Sequence, residues 1–384
     1  MDGKRILIVT GDFVYPPNHG GRVDVWNRLT VLHEMGFWIH LICTVKQMPE
    51  HDNIEVVRKI VQRLDLSPRR NRIIDMIYKE PLQMVSRKSL KDVKLDDYYD
   101  FALLEGTYVW KILSNPAMNV HHLILRMHNN EYVYFNALAK AEHSWLRKIY
   151  YLIESKKFYQ MDAKIVRRIP NILFISHKEK EKYENSYKDI NGCFLPASVK
   201  LDFKHQKRDK NIGLLVASFF MENNREAILF YLKEIHPLIK IPGYQIIIAG
   251  NSRGESIDWI IHLARNYDNV QIYDSPNDLQ PLYDRSSVFI NSMLHGAGVK
   301  LKTINAVVEG LPVVSTTIGN EGTGLYPGRD IIVEDDAENI AKEIVYILQN
   351  KDKADVIVRN AQEYIKNHYN QRKVIEEYFS KLES

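Results

Sequence analysis

Between residues 291 and 325 the chain reads NSMLHGAGVKLKTINAVVEGLPVVSTTIGNEGTGL. Gly296 and Gly298 let the backbone approach a ligand closely, just ahead of an apolar-periodic run over 301–308 that reads as a helix. The first turn of such a helix presents N–H groups and partial positive charge, which suits a diphosphate. Lys300 and Lys302 add full charges at the same place. A tight strand–helix turn with two solvated lysines would give the same letters, because glycine pairs are common in turns. A second glycine-rich loop, Gly319-Asn320-Glu321-Gly322, follows the strand-like run 312–316. His128 closes another apolar run, LILRM, so it stands at a predicted strand end with Asn129 and Glu131 beside it. An imidazole there can donate a hydrogen bond or follow a developing charge, whereas a capped loop histidine is the plain alternative. Asp12, His33, His121 and His122 read as ordinary structural side chains. The sequence holds no H-E-x-x-H, cysteine cluster or repeated-Asp pattern for a metal, no G-x-S-x-G and no Walker G-x-x-x-x-G-K. No G-x-G-x-x-G follows the first strand, which argues against a dinucleotide dehydrogenase.

Such residues need strands and helices to hold them. Short β-branched runs at 5–10, 37–45, 101–105, 123–127 and 172–175 alternate with helical patterns, the first carrying Val25, Trp26, Leu29, Leu32 and Met35 up to Gly36. After a polar stretch at 196–210 the alternation resumes, with strands expected at 212–217, 244–250, 269–273, 287–291 and 312–316 and a helix over 224–239. The pattern predicts an α/β chain of two Rossmann-like, doubly wound parallel-sheet domains, with ligands where strand C-termini face a cleft. A length of 384 residues suits two domains, and 45% hydrophobic with 26% charged residues suits a globular chain. Two cysteines exclude a disulfide scaffold, and no apolar run approaches a membrane span. The opening MDGKRILIVTGD reads as a buried strand rather than a leader, so a reducing cytoplasm is the expected compartment.

The net charge of +4 is unevenly spread, with a basic excess before residue 200 and an acidic excess after it. A basic half suits an anionic partner, although uneven surface sampling gives the same asymmetry. The run WLRKIYYLIESKKFYQMDAKIVRR at 145–168 mixes aromatic and basic residues along a predicted helix, and 69–88 repeats the mixture. Such a helix suits either an anionic lipid surface or domain packing with snorkelling lysines.

Taken together, Gly296, Gly298, Lys300, Lys302, Ile304-Asn305-Ala306, Gly310-Leu311-Pro312-Val313-Val314 and Gly319–Gly322 resemble the donor-binding signature of glycosyltransferase family 4, in its Gly-Ala-Gly-Val-Lys subgroup. The stretches 216–240 and 331–348 are similar to further parts of that family, as are RMHNNEYVYF at 126–135 and the loop at 16–21. The resemblance implies a GT-B fold with two domains facing a cleft. The acceptor-binding domain would span 1–200 plus a returning terminal helix at 369–384, and the nucleotide-sugar domain 201–368. It implies a glycosyltransferase of the hexosyltransferase type that retains anomeric configuration and builds cell-surface polysaccharide. The substrate would be a nucleotide sugar, with UDP favoured and no metal or other cofactor required. The acceptor would be a glycan or lipid-linked glycan, with peripheral contact to an anionic membrane and no nucleic acid. By resemblance, His128, Lys302 and Glu321 are the catalytic residues. Gly296, Gly298, Lys300, Lys302, Asn305, Gly319, Asn320, Glu321 and Gly322 would hold the donor, while Gly20 and Gly21 form the loop on the acceptor and diphosphate side. The family commonly places two glutamates where this chain has Ala297 and Asn305. An Asn amide still reaches two ribose hydroxyls but bonds them more weakly than a carboxylate. Two other readings share the fold: a non-catalytic partner protein and a nucleotide-sugar epimerase.

Overall fold

The computed structural model describes residues 3–17, 20–70, 72–128, 130–142, 144–296 and 298–384. Two compact units form, Met1–Ser198 with Gln371–Ser384, and Val199–Asn370. The first unit contains strands β1 (Arg5–Thr10), β2 (Trp38–Val45), β3 (Arg63–Pro68), β4 (Tyr99–Glu105), β5 (Val120–Met127), β6 (Asn171–Phe174) and β7 (Asn191–Phe194). They line up in the order β3-β2-β1-β4-β5-β6-β7, every pairing parallel. Strand β1 shows why its sequence is apolar throughout. Ile6 and Ile8 pack on one face with Leu29, Leu32 and Leu103, while Leu7 and Val9 pack on the other with Ile42, Leu104 and Leu125. A strand covered on both faces must be apolar at odd and even positions alike. Helix α1 (Gly20–Glu34) covers the first face, and helices α2 (Glu131–Ala141) and α3 (Trp145–Arg168) contribute to the second. The terminal helix Gln371–Glu383 adds Ile375 and Phe379 to the α1 face, with the Phe379 ring 4.7 Å from Phe101 and 5.6 Å from Phe37. Full burial of one such ring stabilises by roughly 1.5–3 kcal/mol relative to exposure.

The second unit repeats the plan with β8 (Ile212–Val216), β9 (Gln245–Gly250), β10 (Val270–Asp274), β11 (Val288–Asn291), β12 (Val313–Ser315) and β13 (Ile332–Val333). Their order is β10-β9-β8-β11-β12-β13, again all parallel. Helices α4 (Glu222–Phe230) and α5 (Leu301–Val308) follow β8 and β11. In both sheets the winding reverses beside the first strand, between β1 and β4 and between β8 and β11. Open parallel sheets bind ligands beyond the strand C-termini at such a reversal.

One local expectation is corrected. The helix over 224–239 stops being α-helical at Phe230; a π turn at Tyr231–Ile235 and a 3-10 turn at His236–Leu238 follow, as Pro237 cannot donate to a continuing helix. The aromatic and basic stretch at 69–88 folds differently from 145–168. It holds a 3-10 turn at Ile73–Ile77 and a single α-turn at Leu82–Val85, separated at Pro81.

Candidate functional site

In the second unit, a cavity of about 680 Å³ opens at the reversal of the sheet. Ser218 follows β8, Gly250 ends β9 with Asn251 after it, Ser275 follows β10, Met293 follows β11, and Lys300 to Lys302 form the cap and first residues of α5; all line it. Ser275 takes a φ of 50°, a left-handed conformation that non-glycine residues adopt at a cost and that is stored preferentially at functional sites.

The glycine turn ahead of α5 is built as a close-packed clasp. Gly296 has φ 135° and Gly298 φ 88°, values that disfavour any side chain, and a Cβ on Gly296 would sit 3.0 Å from Met293 Cε and 3.1 Å from Asn223 Nδ2. Lys300 is 5% exposed and donates from Nζ to the carbonyls of Gly298 at 2.8 Å and Gly296 at 3.4 Å. Its ammonium also lies 3.7 Å from Glu321 Oε2, and its N–H donates to the Glu321 carbonyl at 3.3 Å. The second glycine loop is thereby joined to the first. Gly319 has no room for a side chain, because a Cβ would stand 2.3 Å from Ser315 Oγ and 2.5 Å from the Asn291 carbonyl. Its own carbonyl accepts from Asn291 Nδ2 at 2.9 Å and Thr303 Oγ1 at 2.8 Å. Gly322 packs against Val299, and Asn320 spends its amide within the loop, donating to the Leu325 carbonyl at 3.0 Å.

Lys302 is arranged differently. Its Nζ donates to Asn224 Oδ1 of α4 at 2.9 Å, and among the described residues no carboxylate pairs with it. Burial, assisted by the neighbouring Lys300 charge, pushes the ammonium down to about 8. A desolvated cation without a counter-ion is what an entering anion stabilises most. Asn305, three residues further along α5, has an exposed side chain and lies outside the cavity wall. Ala297 and Asn129 lie outside the described residues. The sequence reading missed the polar collar of Ser218, Asn224, Asn251, Ser275 and Asn277; for Ser218, Asn251 and Ser275 the signal was a small polar residue within two positions of an apolar strand's end.

In the first unit, His128 follows β5 and is 25% exposed at its side chain. Its Nε2 lies 3.0 Å from Glu105 Oε2 at the end of β4, and its Nδ1 lies 3.8 Å from Asp24 Oδ2 of α1. Arg28, one turn beyond Asp24, donates to both Glu105 oxygens at 2.7 and 2.9 Å and to Asp24 at 2.9 Å. Arg126 adds a donation to Asp24 at 3.3 Å. Burial would raise the Glu105 carboxyl, but Arg28 and the His128 hydrogen bond outweigh it and hold the group down at about 2. Asp24 sits well below the ordinary carboxylate range by the same balance, burial being overcome by Arg28, Arg126 and His128. Two guanidiniums thus face two carboxylates, and the imidazole is oriented by a group fixed at both ends. Glu131 is not part of this network. It accepts from the Tyr108 hydroxyl, and burial pushes its carboxyl up to about 7. Gly20 and Gly21 open α1, ahead of Arg22, which grips Asp12 through Nε at 3.0 Å and Nη2 at 2.7 Å.

Among the described residues, no group of three or more His, Cys, Asp or Glu is placed to hold a metal ion, and no helix is long and apolar enough to cross a membrane.

Residues 210–350 match the family model described as Glycosyl transferases group 1. An uncharacterized 44.6 kDa protein in the cps region of Klebsiella pneumoniae is 34% identical over 389 residues, covering 98% of this chain and 99% of that protein. An uncharacterized glycosyltransferase of Methanocaldococcus jannaschii is 25% identical over 140 residues, 35% of this chain and 36% of that one. Among solved structures, TarM superposes with a TM-score of 0.70 at 11% identity over 99% of both chains. Anabaena HepE in complex with UDP-glucose gives 0.64 at 11% identity over 99% of both chains. The pneumococcal O-GlcNAc transferase GtfA in complex with UDP and GlcNAc gives 0.65 at 10% identity, over 100% of this chain and 99% of that one. These structures share the two-sheet fold described above.

Proposed function

The chain belongs to the group 1 glycosyltransferases and has their GT-B fold, and we propose that it moves a sugar, with retention of anomeric configuration, from a UDP-sugar to a glycan or lipid-linked glycan acceptor during cell-surface polysaccharide synthesis. The observation that carries this reading is Lys302, a half-buried side chain at the wall of the second unit's cavity whose ammonium has no carboxylate partner among the described residues. In the reaction the bond from the anomeric carbon to the diphosphate oxygen breaks and its electron pair leaves with the diphosphate. The acceptor hydroxyl oxygen bonds to that carbon, and its proton passes to the departing phosphate. Lys302 meets the growing charge in a water-poor wall, where a fixed cation stabilises it most. Lys300 and the α5 amino end help, so lysines rather than a metal ion carry this task. In this reading Gly296 and Gly298 keep the backbone close to the diphosphate, Asn305 bonds the ribose, and Glu321 contacts the sugar.

The UDP complexes of HepE and GtfA support the choice of nucleotide, and the cps-region relative supports the polysaccharide context. The test is calorimetry with UDP and UDP-sugars on the purified protein, followed by incubation with donor alone. Binding, with turnover only when an acceptor is added, is the expected result. No binding of any nucleotide sugar would indicate a non-catalytic partner, and epimerised donor without acceptor would indicate an epimerase.

The same reading places the protein in the cytoplasm and peripherally on an anionic membrane. Ile74, Ile77, Trp145 and Leu146 are 65%, 80%, 68% and 61% exposed, and Lys157 Nζ ties α3 to the Met76 carbonyl at 3.0 Å. Over 72–79 and 145–156 the carboxylates are Asp75 and Glu154, each 1% exposed, whereas Arg72, Lys79, Arg147 and Lys148 accompany the apolar side chains. Apolar side chains among basic ones suit a surface of acidic lipid. Replacing Ile77 and Trp145 by Ser should abolish flotation with phosphatidylglycerol vesicles and leave UDP binding intact.

A further inference from the structure

A second group of buried cations lies in the first unit, apart from the His128 network. Gly11 follows β1, Thr44 is near the end of β2, and Arg69 follows β3, so three adjacent strands finish side by side. Arg87, 2% exposed, reaches across them. Its guanidinium donates to the Gly11 carbonyl at 2.8 Å, Thr44 Oγ1 at 3.0 Å, and the carbonyl and Oε1 of Gln83, the latter at 3.2 Å. It also stands 5.3 Å over the Tyr108 ring. Arg69, half-exposed, donates from Nη2 to the same Gln83 Oε1 at 2.9 Å, while its buried Nε has no hydrogen-bond partner. Two guanidiniums therefore converge on one neutral amide oxygen. Among the described residues, no carboxylate pairs with either. Asp12 is the nearby acid, and its carboxylate is already gripped by Arg22. Burial lowers both arginines from their ordinary value, and Arg87, with Arg69 beside it, falls to about 9.

This arrangement costs stability. Like charges are held together, desolvated, on acceptors too weak to balance them, when a single carboxylate in the place of Gln83 would relieve the strain. A fold retains such a deficit where a ligand supplies the missing charge, and the C-terminal edge of a parallel sheet is where ligands dock. We propose that Arg69, backed by the field of Arg87, forms an anion-binding subsite for a phosphate or carboxylate group of the acceptor. The assignment to the acceptor rests on the glycosyltransferase reading; the anion site itself does not. A guanidinium presents a planar fork that matches either oxyanion. Arg69 is the contact residue because it is the more exposed of the pair, and Arg87 acts through it as a positioning residue.

The test uses the full-length protein, with inorganic phosphate and glucuronate as separate probes in thermal-shift and calorimetric titrations. At least one should raise the melting temperature at up to tens of millimolar. R69Q should weaken that anion by at least about tenfold while the anion-free protein melts at the same temperature or higher, since one of two repelling charges has gone. Gln83→Glu gives a second arm that does not depend on R69Q folding. It should raise the anion-free melting temperature and remove the same part of the response that R69Q removes, its carboxylate standing in for the ligand. A phosphate response that R69Q removes points to a phosphate-bearing acceptor, and a glucuronate response that R69Q removes points to a uronic acid; a response that R69Q keeps belongs to the Lys302 site. UDP, titrated in parallel, should bind wild type and R69Q equally. Loss of UDP binding from all forms with the anion response intact would sink the donor reading and leave the subsite standing. Two outcomes overturn the subsite: neither probe stabilises wild type, or R69Q and Q83E respond as wild type does.

Discussion

Two sites, one in each unit, bury their cations in opposite ways. Around His128, Arg28 and Arg126 are matched by Asp24 and Glu105, and the carboxylates stay ionised because the guanidiniums outweigh their burial. Around α5, Lys302 has an amide oxygen in place of a carboxylate, and burial pulls its ammonium down to about 8. A balanced network is finished when the chain folds; its work is to fix geometry, here the face that His128 presents. An unbalanced one is finished only when an anion arrives. Lys300 stands between them, its ammonium shared among two carbonyls of the glycine turn and Glu321. The contrast predicts that the same kind of substitution will damage different properties in the two places.

The largest effect should come from Lys302. K302M keeps the length of the side chain and removes the charge. Turnover should fall by about a thousandfold, the scale of losing one preorganised group at developing charge, while the ligand-free protein melts at the same temperature or higher. Steady-state rates beside a melting curve separate these outcomes. Near-normal turnover would remove Lys302 from the leaving-group role.

In the balanced network the damage should move from rate to stability. E105Q leaves Arg28 buried with Asp24 as its remaining counter-charge and should cost up to roughly 3–5 kcal/mol by denaturant unfolding. The acid limb provides an independent check. Glu105 has a folded pKa of about 2 against an ordinary 4.5, so its contribution is fully present above pH 4.5 and is lost as pH falls toward 2. E105Q should therefore lose the part of the wild-type pH dependence that lies in that window. An unchanged acid profile would mean that Arg28 is neutralised elsewhere.

A smaller effect follows from the proton on Lys302. The folded chain releases it at about pH 8, whereas an unfolded lysine keeps it to about 10.5. Between these values the unfolded state binds more protons, so the ligand-free protein should gain stability as pH rises through the window; the cost of the buried charge is fully present below pH 8. A diphosphate needs the charged form, so UDP affinity should fall by about tenfold for each pH unit above 8. K302M should show neither trend. Calorimetry at pH 7, 8 and 9 measures the slope, and a flat wild-type profile would place the diphosphate away from this amine.

How much of this was visible in the sequence depends on how local each feature is. Strands buried on both faces, such as RILIVT and YQIIIAG, announce themselves as continuous apolar runs, and the two parallel sheets were read from them. Strands β3 and β7 escaped. Both are edge strands, and RLDLSP and NGCF carry polar or small residues because one neighbour is missing. The glycine turn and its lysines were legible because turn, helix start and charge lie within a few residues of each other. Their partners were not: Asn224 lies 78 residues from Lys302, Glu105 lies 77 from Arg28, and Asp24 lies 102 from Arg126. No short-range pattern records such pairs, because the fold rather than the spacing brings them together. Lys300 carries the same lesson in reverse. Its position suggested a free cation for the ligand, yet its ammonium also holds the backbone turn that shapes the site.

The smallest predicted effect bears on Asn305, the position where the family commonly has a carboxylate. Its side chain is exposed on α5, so N305E meets no packing obstacle; Glu309 one turn away adds only about 0.2–0.5 kcal/mol of like-charge repulsion. A carboxylate accepting from ribose hydroxyls makes hydrogen bonds roughly twice as strong as a neutral amide does, but exposure to solvent returns much of that gain. UDP should therefore bind N305E a few-fold more tightly, whereas inorganic pyrophosphate, which lacks a ribose, should bind no better and somewhat worse because of the added negative charge. That difference between two ligands isolates the ribose contact from the lysine site, since both carry the diphosphate that Lys302 would meet. Equal changes for the two would place the ribose elsewhere on the unit and leave the role of Lys302 untouched.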